Sequence, residues 1–407
     1  MRYDGSKAVG AIFLSYFQSL KVSPPDPVFG QVATFRADTR ANKVSLLVGY
    51  YRNEEGQTPA FESIKEAAKG FFPRVEYLPM GGDDHYLNAL MELVFGPQLP
   101  NIKDRLSSVQ TIGGTGALRT IGDLLKMMGH NSIWISDPTW PNHLGIFTAA
   151  DLEINPYPYH DGVNYGVSFE AMIAALSKIP EKSPVLLHAV CHNPTGFDLS
   201  VEQWIELADL MEKRNLFPIF DFAYQGFGKG VEEDAAAIHL FVERGFEFAV
   251  TYTCSKSFAL YGERVGALFV IVDKNREALT SQLKRICRTG YSNPPRFGAE
   301  LVQRVLTSPK LYERWEGELK EMRARMQAMR RLFMDKLKIK DPSGEWDFLL
   351  RGHGLFVYSG LSETVCARLV DNYGIYLPNN GRINITAINK NNVDHIVDAI
   401  ADCSRGA

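Results

Sequence analysis

Four polar features of the sequence follow apolar runs, at positions where buried strands are expected to end. Lys256 lies in "TYTCSKSFALYGERVG" (251–266), Asp221 closes "FPIFD", and Asn193 follows "VLLHAV". The fourth feature is the glycine-rich "GGTG" (113–116), between "QTI" and a helical pattern. Together they offer an amine, a carboxylate, an amide and a cradle of backbone N–H groups for an anion such as phosphate.

Each feature by itself has an ordinary structural explanation. A lysine near a strand end commonly extends its amine to solvent, and Asn193 before Pro194 is a common start of a turn. Asp221 could cap the following turn, and a Gly-Gly-Thr-Gly run is more often a plain turn than a phosphate site. Open parallel sheets bind ligands beyond the carboxyl ends of their strands. Because all four features fall at such ends, we interpret them as one site.

The elements that must position these residues are apolar strands separated by helical patterns. The runs at 185–190, 217–220, 248–252 and 266–272 are continuously apolar, which is typical of parallel strands covered on both faces. From residue 309 the pattern changes to one long helix, whose apolar stripe consists of Leu311, Trp315, Leu319, Met322, Met326, Met329 and Phe333. We therefore predict an α/β fold with a large domain, built on a mostly parallel sheet covered by helices, and a smaller α+β domain.

Composition limits the classes of partner and compartment. The 407 residues carry a net charge of −3, which offers no field for nucleic acid, and the early apolar stretch "AVGAIFLSYF" is too short to cross a membrane. The five cysteines share no metal-ligand spacing, so no metal site is predicted and a reducing compartment is favoured. We expect a cytoplasmic protein, with the mitochondrial matrix as the alternative if residues 1–14 are a presequence remnant.

The combination of polar groups indicates pyridoxal phosphate as the cofactor. A lysine can hold this cofactor covalently, a cradle can bind its phosphate, and a carboxylate can pair with its ring nitrogen. Asp221 would keep that nitrogen protonated, so that the ring takes up the electrons of a substrate carbanion. The amine of Lys256, once released, could move a proton at the substrate α-carbon if burial and neighbouring cations lower its pKa.

Longer motifs extend this interpretation. The segments "CHNPTG", "DFAYQGFG", "SKSFALYGERVG", "YSNPP" and "GRINIT", with "PPDPVFG" near the start, resemble the class I aminotransferases of the aspartate/aromatic subfamily. The resemblance implies a fold type I homodimer with shared active sites. It implies transfer of an amino group between L-aspartate or glutamate and a 2-oxo acid, by a ping-pong mechanism. Broad-specificity transfer from tyrosine or phenylalanine is the alternative.

The resemblance also implies a role for individual residues. The catalytic residues would be Lys256, Asp221 and Tyr224. The residues implied to bind the cofactor are these three with Asn193, Trp140, Gly114, Thr115, Thr253, Ser255, Arg264, Tyr77 and His143. The residues implied to bind the substrate are Gly49, Trp140, Asn193, Arg288 and Arg382, with Tyr77 and Arg288 reaching the neighbouring subunit. The implied domains are an N-terminal arm with part of the small domain (1–58), a large cofactor-binding domain (59–310), and the long connecting helix with a small C-terminal domain (311–407).

Three positions differ from the usual pattern of this family. Gly113 replaces a common serine, Thr253 replaces a serine but keeps a hydroxyl, and Tyr50 replaces a small aliphatic residue, which makes narrow substrate specificity less expected. Two other classes of protein fit the sequence less well. A nicotinamide dehydrogenase would need the G-x-G-x-x-G spacing, which the glycine-rich turn lacks. A non-catalytic binding protein on the same scaffold would be expected to lose the lysine or to add a DNA-binding module, and this sequence does neither.

Overall fold

The computed structural model describes residues 16–22, 27–72, 74–342 and 344–404. The segment 1–14 and the prolines Pro24 and Pro25, on which two of the expectations above depend, lie outside the described residues. The strands are β1 (Val44–Ser45), β2 (Leu106–Ile112), β3 (Ser132–Asp137), β4 (Glu153–Pro158), β5 (His160–Asp161), β6 (Gly166–Val167), β7 (Pro184–His188), β8 (Phe217–Phe222), β9 (Phe248–Thr253), β10 (Val265–Ile271), β11 (Phe356–Tyr358), β12 (Ile375–Tyr376) and β13 (Arg382–Asn384).

Helices lie between most of the strands of the main sheet. They are α1 (Pro27–Ala37), α2 (Glu62–Ala68), α3 (Asp84–Phe95), α4 (Leu99–Ile102), α5 (Gly113–Met127), α6 (Asn142–Ala149), α7 (Phe169–Leu176), α8 (Val201–Lys213), α9 (Ala236–Glu243), α10 (Arg276–Gly290), α11 (Phe297–Thr307), α12 (Pro309–Lys340), α13 (Glu363–Tyr373) and α14 (Val393–Ser404). Among the described residues, no helix has the length and apolar content needed to cross a membrane.

The main sheet places the predicted site. Within the described residues, seven strands form it in the order β2-β10-β9-β8-β7-β3-β4. From β9 to β4 the neighbours are parallel, and every residue of β7 and β9 is buried, so the prediction of a mostly parallel, covered sheet is confirmed. β10 departs from it, because it runs antiparallel to both β9 and β2. A continuous apolar run predicts burial on two faces but carries no information on strand direction.

Helices cover both faces of the sheet. Phe220 and Val250 point to one apolar core, whereas their neighbours Ile219 and Ala249 point to the other, as the two-residue period of a strand requires. Helices α5, α6 and α10 supply the second core, and α3, α8, α9 and α11 contribute to the first. Since both faces are closed, a ligand can reach the sheet only at its edges and at the ends of its strands.

The long helix α12 confirms the predicted stripe. The helix begins at Pro309, and six of the seven stripe residues are buried, whereas Leu311 is half-buried near the first turn. The stripe joins the apolar core that contains the first face of the sheet and the C-terminal elements. α12 therefore connects the sheet to the C-terminal part of the chain.

The N-terminal segment pairs with the C-terminal elements. β1 lies parallel to β12, Leu46 N–H donates to the Tyr376 carbonyl at 2.8 Å, and Asn384 N–H donates to the Leu46 carbonyl at 3.0 Å. This pairing brings residues 46–50 next to β13, where Arg382 lies. The domain boundaries at residues 58 and 310 stay a prediction.

Candidate active site

The carboxyl ends of β7, β8 and β9 open into one cleft. The register pairs His188 with Asp221 and Asp221 with Thr251, so the residues that follow these strands meet at one edge of the sheet. The cleft has a volume of about 510 Å³. The predicted site residues that line it are Gly49, Gly114, Thr115, Trp140, Asn193, Asp221, Tyr224, Thr253, Ser255, Lys256, Arg264 and Arg382.

Lys256 is half-buried in the wall of the cleft. It follows β9, and its Nζ lies 5.4 Å from the centre of the Tyr224 ring. Burial lowers the pKa of Lys256 to about 8, because a charged amine loses its hydration; the Arg264 charge lowers it further, and the Asp221 charge opposes the shift. A substantial fraction of this amine is therefore neutral near physiological pH, and a neutral amine can act as a nucleophile or a base.

Asp221 is buried at the end of β8 but remains ionised. Burial opposes its ionisation, but the hydrogen bond and charge of His143, with the charge of Lys256, lower its pKa below the ordinary value. The Nε2 of His143 lies 3.1 Å from Oδ2 of Asp221, and Thr139 Oγ1 lies 2.8 Å from the other ring nitrogen. The ring of Trp140 meets His143 edge-on at 5.2 Å. His143 therefore lies behind the carboxylate, which leaves Asp221 to face the cleft.

His188 is a second histidine at this carboxylate, which the sequence analysis missed. Its Nε2 lies 4.0 Å from Oδ2 of Asp221 and has no hydrogen-bond partner among the described residues. Burial lowers the pKa of His188 to about 3, so it adds no charge at neutral pH. His143, His188 and Asp221 lie close together and are of residue types that bind metals. That this protein has no metal site stays a prediction. The sequence signal that could have identified His188 is its position at the end of the apolar run of β7, the strand next to Asp221.

The glycine-rich turn and Arg264 form an anion cradle. α5 begins at Gly113 directly after β2, and Ile112 before it supplies no capping side chain, so its first N–H groups remain open to a ligand. Gly113 has a φ of +72°, and a Cβ there would lie 2.5 Å from Nη2 of Arg264. Nη1 of Arg264 donates to the Ser255 hydroxyl at 3.4 Å. Backbone donors and a guanidinium therefore converge, and a side chain at Gly113 would require the Arg264 guanidinium to move.

Arg382 is a buried cation on the opposite wall. Its Nη2 donates to the Leu47 carbonyl at 2.6 Å, its Nη1 donates to Oδ1 of Asn193 at 3.3 Å, and its guanidinium lies 4.3 Å from the centre of the Phe356 ring. Burial lowers the pKa of Arg382 to about 10, which still leaves it charged at neutral pH. No carboxylate of the described residues pairs with it, and its Nε is buried without a hydrogen bond. Such a charge is suited to an incoming carboxylate.

Two predicted site residues lie away from this cleft. Tyr77 is 91% exposed in a second cleft formed with residues 291–296, and Arg288 is exposed at the end of α10, where it donates to the Ser292 hydroxyl at 2.5 Å. Neither lines the cleft of Lys256 in the same chain. Their implied roles need a second subunit and stay predictions.

Aromatic residues at the mouth were only partly predicted. Tyr50 is 39% exposed, and its ring meets that of Tyr261 edge-on at 5.0 Å. The Tyr261 hydroxyl accepts from the backbone N–H of Tyr51 at 2.9 Å, and Phe356 lies beneath Gly49. Tyr261 stands within "SKSFALYGERVG", but no sequence signal distinguished it from a core residue.

The chain matches known proteins over nearly its whole length. Residues 41–400 match the family model described as "Aminotransferase class I and II". The aspartate aminotransferase of Pseudomonas aeruginosa is 41% identical over 397 residues, which cover 95% of this chain and 99% of that protein. The chain belongs to the class I and II aminotransferase family. The resemblance predicted from the motifs is thereby confirmed.

Other members of the aminotransferase family match as well. The aromatic-amino-acid aminotransferase of Escherichia coli is 40% identical over 393 residues, which cover 95% of this chain and 99% of that protein. The solved aromatic-amino-acid aminotransferase of Burkholderia pseudomallei, covalently bound to pyridoxal phosphate, has a TM-score of 0.92 and 41% identity, covering 96% of this chain and 100% of that one. The cytoplasmic aspartate aminotransferase of Saccharomyces cerevisiae has a TM-score of 0.92 and 33% identity, covering 96% and 99%. The predicted fold class of this aminotransferase is confirmed.

Proposed function

We propose that this protein is a pyridoxal-phosphate-dependent aminotransferase that moves the amino group of L-aspartate or glutamate to a 2-oxo acid. The observation that carries the proposal is the cleft itself. It combines a half-buried lysine of lowered pKa, an ionised buried aspartate, an anion cradle and a buried arginine that pairs with no carboxylate of the described residues. Relatives named for aspartate support the choice of substrate.

The residues present fit this cofactor. The N-terminus of α5, with Thr115, Ser255 and Arg264, could hold the phosphate, and Lys256 could hold the cofactor covalently. Asn193 and Tyr224 would contact the ring hydroxyl, and Trp140 would stack on the ring. When bound, pyridoxal phosphate supplies an electron-withdrawing ring that stabilises negative charge at the substrate α-carbon.

The protein's own groups would orient the substrate and move its protons. Arg382 binds the substrate α-carboxylate, so that the α-carbon faces the amine of Lys256. That amine, neutral in part because its pKa is about 8, removes the α-proton and returns a proton during transfer. Asp221, kept ionised by His143, holds a proton on the ring nitrogen. The charges of Arg382 and Asp221 are thus placed where burial makes them most effective.

A homodimer would complete the site. Tyr77 and Arg288 are exposed in one chain, and we propose that each reaches the active site of the neighbouring subunit, Tyr77 at the phosphate and Arg288 at the distal carboxylate of the substrate. A guanidinium suits that task because its planar fork pairs with a carboxylate bidentately. The proposed compartment is the cytoplasm, since all five cysteines are free and buried; the mitochondrial matrix is the alternative.

Transfer from tyrosine or phenylalanine is the second candidate. The observation in its favour is the pair of rings that Tyr50 and Tyr261 present at the mouth of the cleft. An aromatic side chain of a substrate could pack against them, whereas a small aliphatic residue at position 50 would offer less surface. A substrate panel with 2-oxoglutarate as acceptor separates the two candidates by the ratio of kcat/KM for aspartate to that for phenylalanine.

The shared-site proposal is tested by mixing two inactive variants. Lys256→Ala and Arg288→Ala subunits, refolded together, should regain aspartate transfer, up to about a quarter of the parent activity, because half of randomly paired dimers are mixed and each holds one complete site. The matched control pairs Lys256→Ala with Arg382→Leu, two residues of the same cleft, and should regain nothing. Failure of the first pair, with dimers present by light scattering, would contradict a shared site.

A further inference from the structure

One buried side chain on β2 joins the two segments that carry Tyr77 and Arg288. Gln110 is fully buried in this edge strand of the sheet. Its Oε1 accepts from the backbone N–H of Asp83 at 3.0 Å, and its Nε2 donates to the Pro295 carbonyl at 2.7 Å. The first contact holds the segment after Tyr77, and the second holds the segment after Arg288.

The backbone of the same residue repeats this arrangement. Gln110 N–H donates to the Gly81 carbonyl at 2.8 Å, and the Gln110 carbonyl accepts from the Tyr291 hydroxyl at 3.0 Å. These four hydrogen bonds therefore go to residues 81–83 or 291–295. The approach is close enough that a Cβ at Gly82, whose φ is +97°, would lie 2.2 Å from the Cβ of Gln110.

The two segments also contact each other at a second point. Nδ2 of Asn293 donates to the Leu78 carbonyl at 2.6 Å, directly beside Tyr77. The Arg288 guanidinium donates a hydrogen bond to the hydroxyl of Ser292, the residue before Asn293. Arg288 is therefore hydrogen-bonded to the same loop that contacts Leu78. Gln110 lies at the base of this arrangement, and the exposed Tyr77 and Arg288 lie at its outer end.

We propose that Gln110 is a positioning residue, which holds the Tyr77 and Arg288 segments in register with each other so that both side chains are delivered to the same neighbouring active site. The inference rests on the proposed function, in which these two residues act across the dimer. Gln110 itself faces the loops and not the cleft, and it does not touch the substrate. Arg288 lies in the last turn of α10, and its guanidinium is held by Ser292 on the loop that follows. If that loop were flexible, the guanidinium would take many orientations, and ordering it on binding would weaken the interaction with the distal carboxylate.

The test compares two substrates in two backgrounds. Gln110→Met keeps the length of the side chain and removes both of its hydrogen bonds. At saturating pyridoxal phosphate, kcat/KM for aspartate should fall at least tenfold, whereas kcat/KM for phenylalanine, which has no distal carboxylate, should change less than threefold. In the Arg288→Ala background, Gln110→Met should leave the ratio of the two substrates unchanged, because the residue it positions is absent. The matched control is Ser107→Ala, which removes a buried hydroxyl contact from β2 to the start of α10.

Hydrogen exchange of the apoprotein provides a second measurement besides the kinetics. In Gln110→Met, hydrogen exchange should accelerate in residues 74–83 and 289–296, and Ser107→Ala should not reproduce this pattern. Equal losses on both substrates, a ratio that still changes in the Arg288→Ala background, or unchanged exchange in both segments would overturn the inference. If Arg288→Ala alone leaves the substrate ratio unchanged, the proposed role of Arg288 fails as well. If Arg288→Ala shifts the ratio and Gln110→Met does not, only the inference fails.

Discussion

Replacing Arg382 with leucine should lower catalytic activity strongly but change the stability of the protein little. In the proposed mechanism this guanidinium pairs with the α-carboxylate that every amino-acid substrate carries. Removing one partner of a buried ion pair costs about 3–5 kcal/mol, which at about 1.4 kcal/mol per tenfold lowers kcat/KM by about 10²- to 10⁴-fold. The loss should be equal for aspartate and phenylalanine, unlike the selective loss expected from Arg288→Ala.

The same substitution should change stability little. The pKa of Arg382 falls from its ordinary value of 12.5 to about 10, which corresponds to a cost of about 3 kcal/mol for keeping it charged in the folded apoprotein. Leucine removes that cost but leaves the Leu47 carbonyl and the Asn193 side chain without their donor, at about 1–2 kcal/mol each. Because these effects oppose each other, the free energy of unfolding should change by less than about 2 kcal/mol.

Steady-state kinetics on both substrates, with urea unfolding of the apoprotein, measure the two quantities together. The matched control is Arg325→Leu, on α12, whose guanidinium donates to the Thr386 carbonyl outside the cleft. It should affect stability more than turnover. The reasoning would be refuted by an Arg382→Leu variant that unfolds much more easily, or by a loss confined to one substrate.

Three further outcomes follow from the site. Asp221→Asn should still bind the cofactor, but the half-reaction with aspartate should slow by about 10²- to 10³-fold, since a charge pair near 4 Å is worth up to about 4 kcal/mol at an effective dielectric of 20; half-reaction rates near those of the parent would refute this role. Tyr50→Ala should lower kcat/KM for phenylalanine about fivefold and leave kcat/KM for aspartate within about twofold, since ring contacts contribute about 1 kcal/mol. Equal effects on the two substrates would show that Tyr50 does not contact aromatic substrates. Between pH 8 and 10.5 the unfolded chain keeps the proton on Lys256, whereas the folded apoprotein releases it. The free energy of unfolding should therefore increase as pH rises through this range, by up to about 3 kcal/mol relative to the Lys256→Met protein. Parallel curves of unfolding free energy against pH for the two proteins would contradict the lowered pKa.

Much of the fold and of the site could be predicted because buried strands and helices require apolar residues in recognisable patterns. The apolar runs before Asn193, Asp221 and Lys256 located three strands, and the position after a strand predicted that their side chains would share one cleft. The stripe on α12 required only a helical period. These patterns are local, so the sequence reveals them directly.

Features that depend on distant contacts were not predictable. The direction of β10, the place of His188 behind Asp221 and the four contacts of Gln110 depend on which segments meet in space. A buried glutamine in an apolar strand carries no sign of the two loops that it holds. The roles proposed for Tyr77 and Arg288 require a second chain, which no pattern within one chain describes.

The most direct test of the central claim is to locate the covalent attachment of the cofactor. Protein loaded with pyridoxal phosphate is reduced with borohydride, digested, and analysed by mass spectrometry, with Lys256→Ala as the control. The account predicts the added mass on the peptide that contains Lys256, and no trapped cofactor in the Lys256→Ala protein. Added mass on a different lysine, or none in the parent protein, would contradict it.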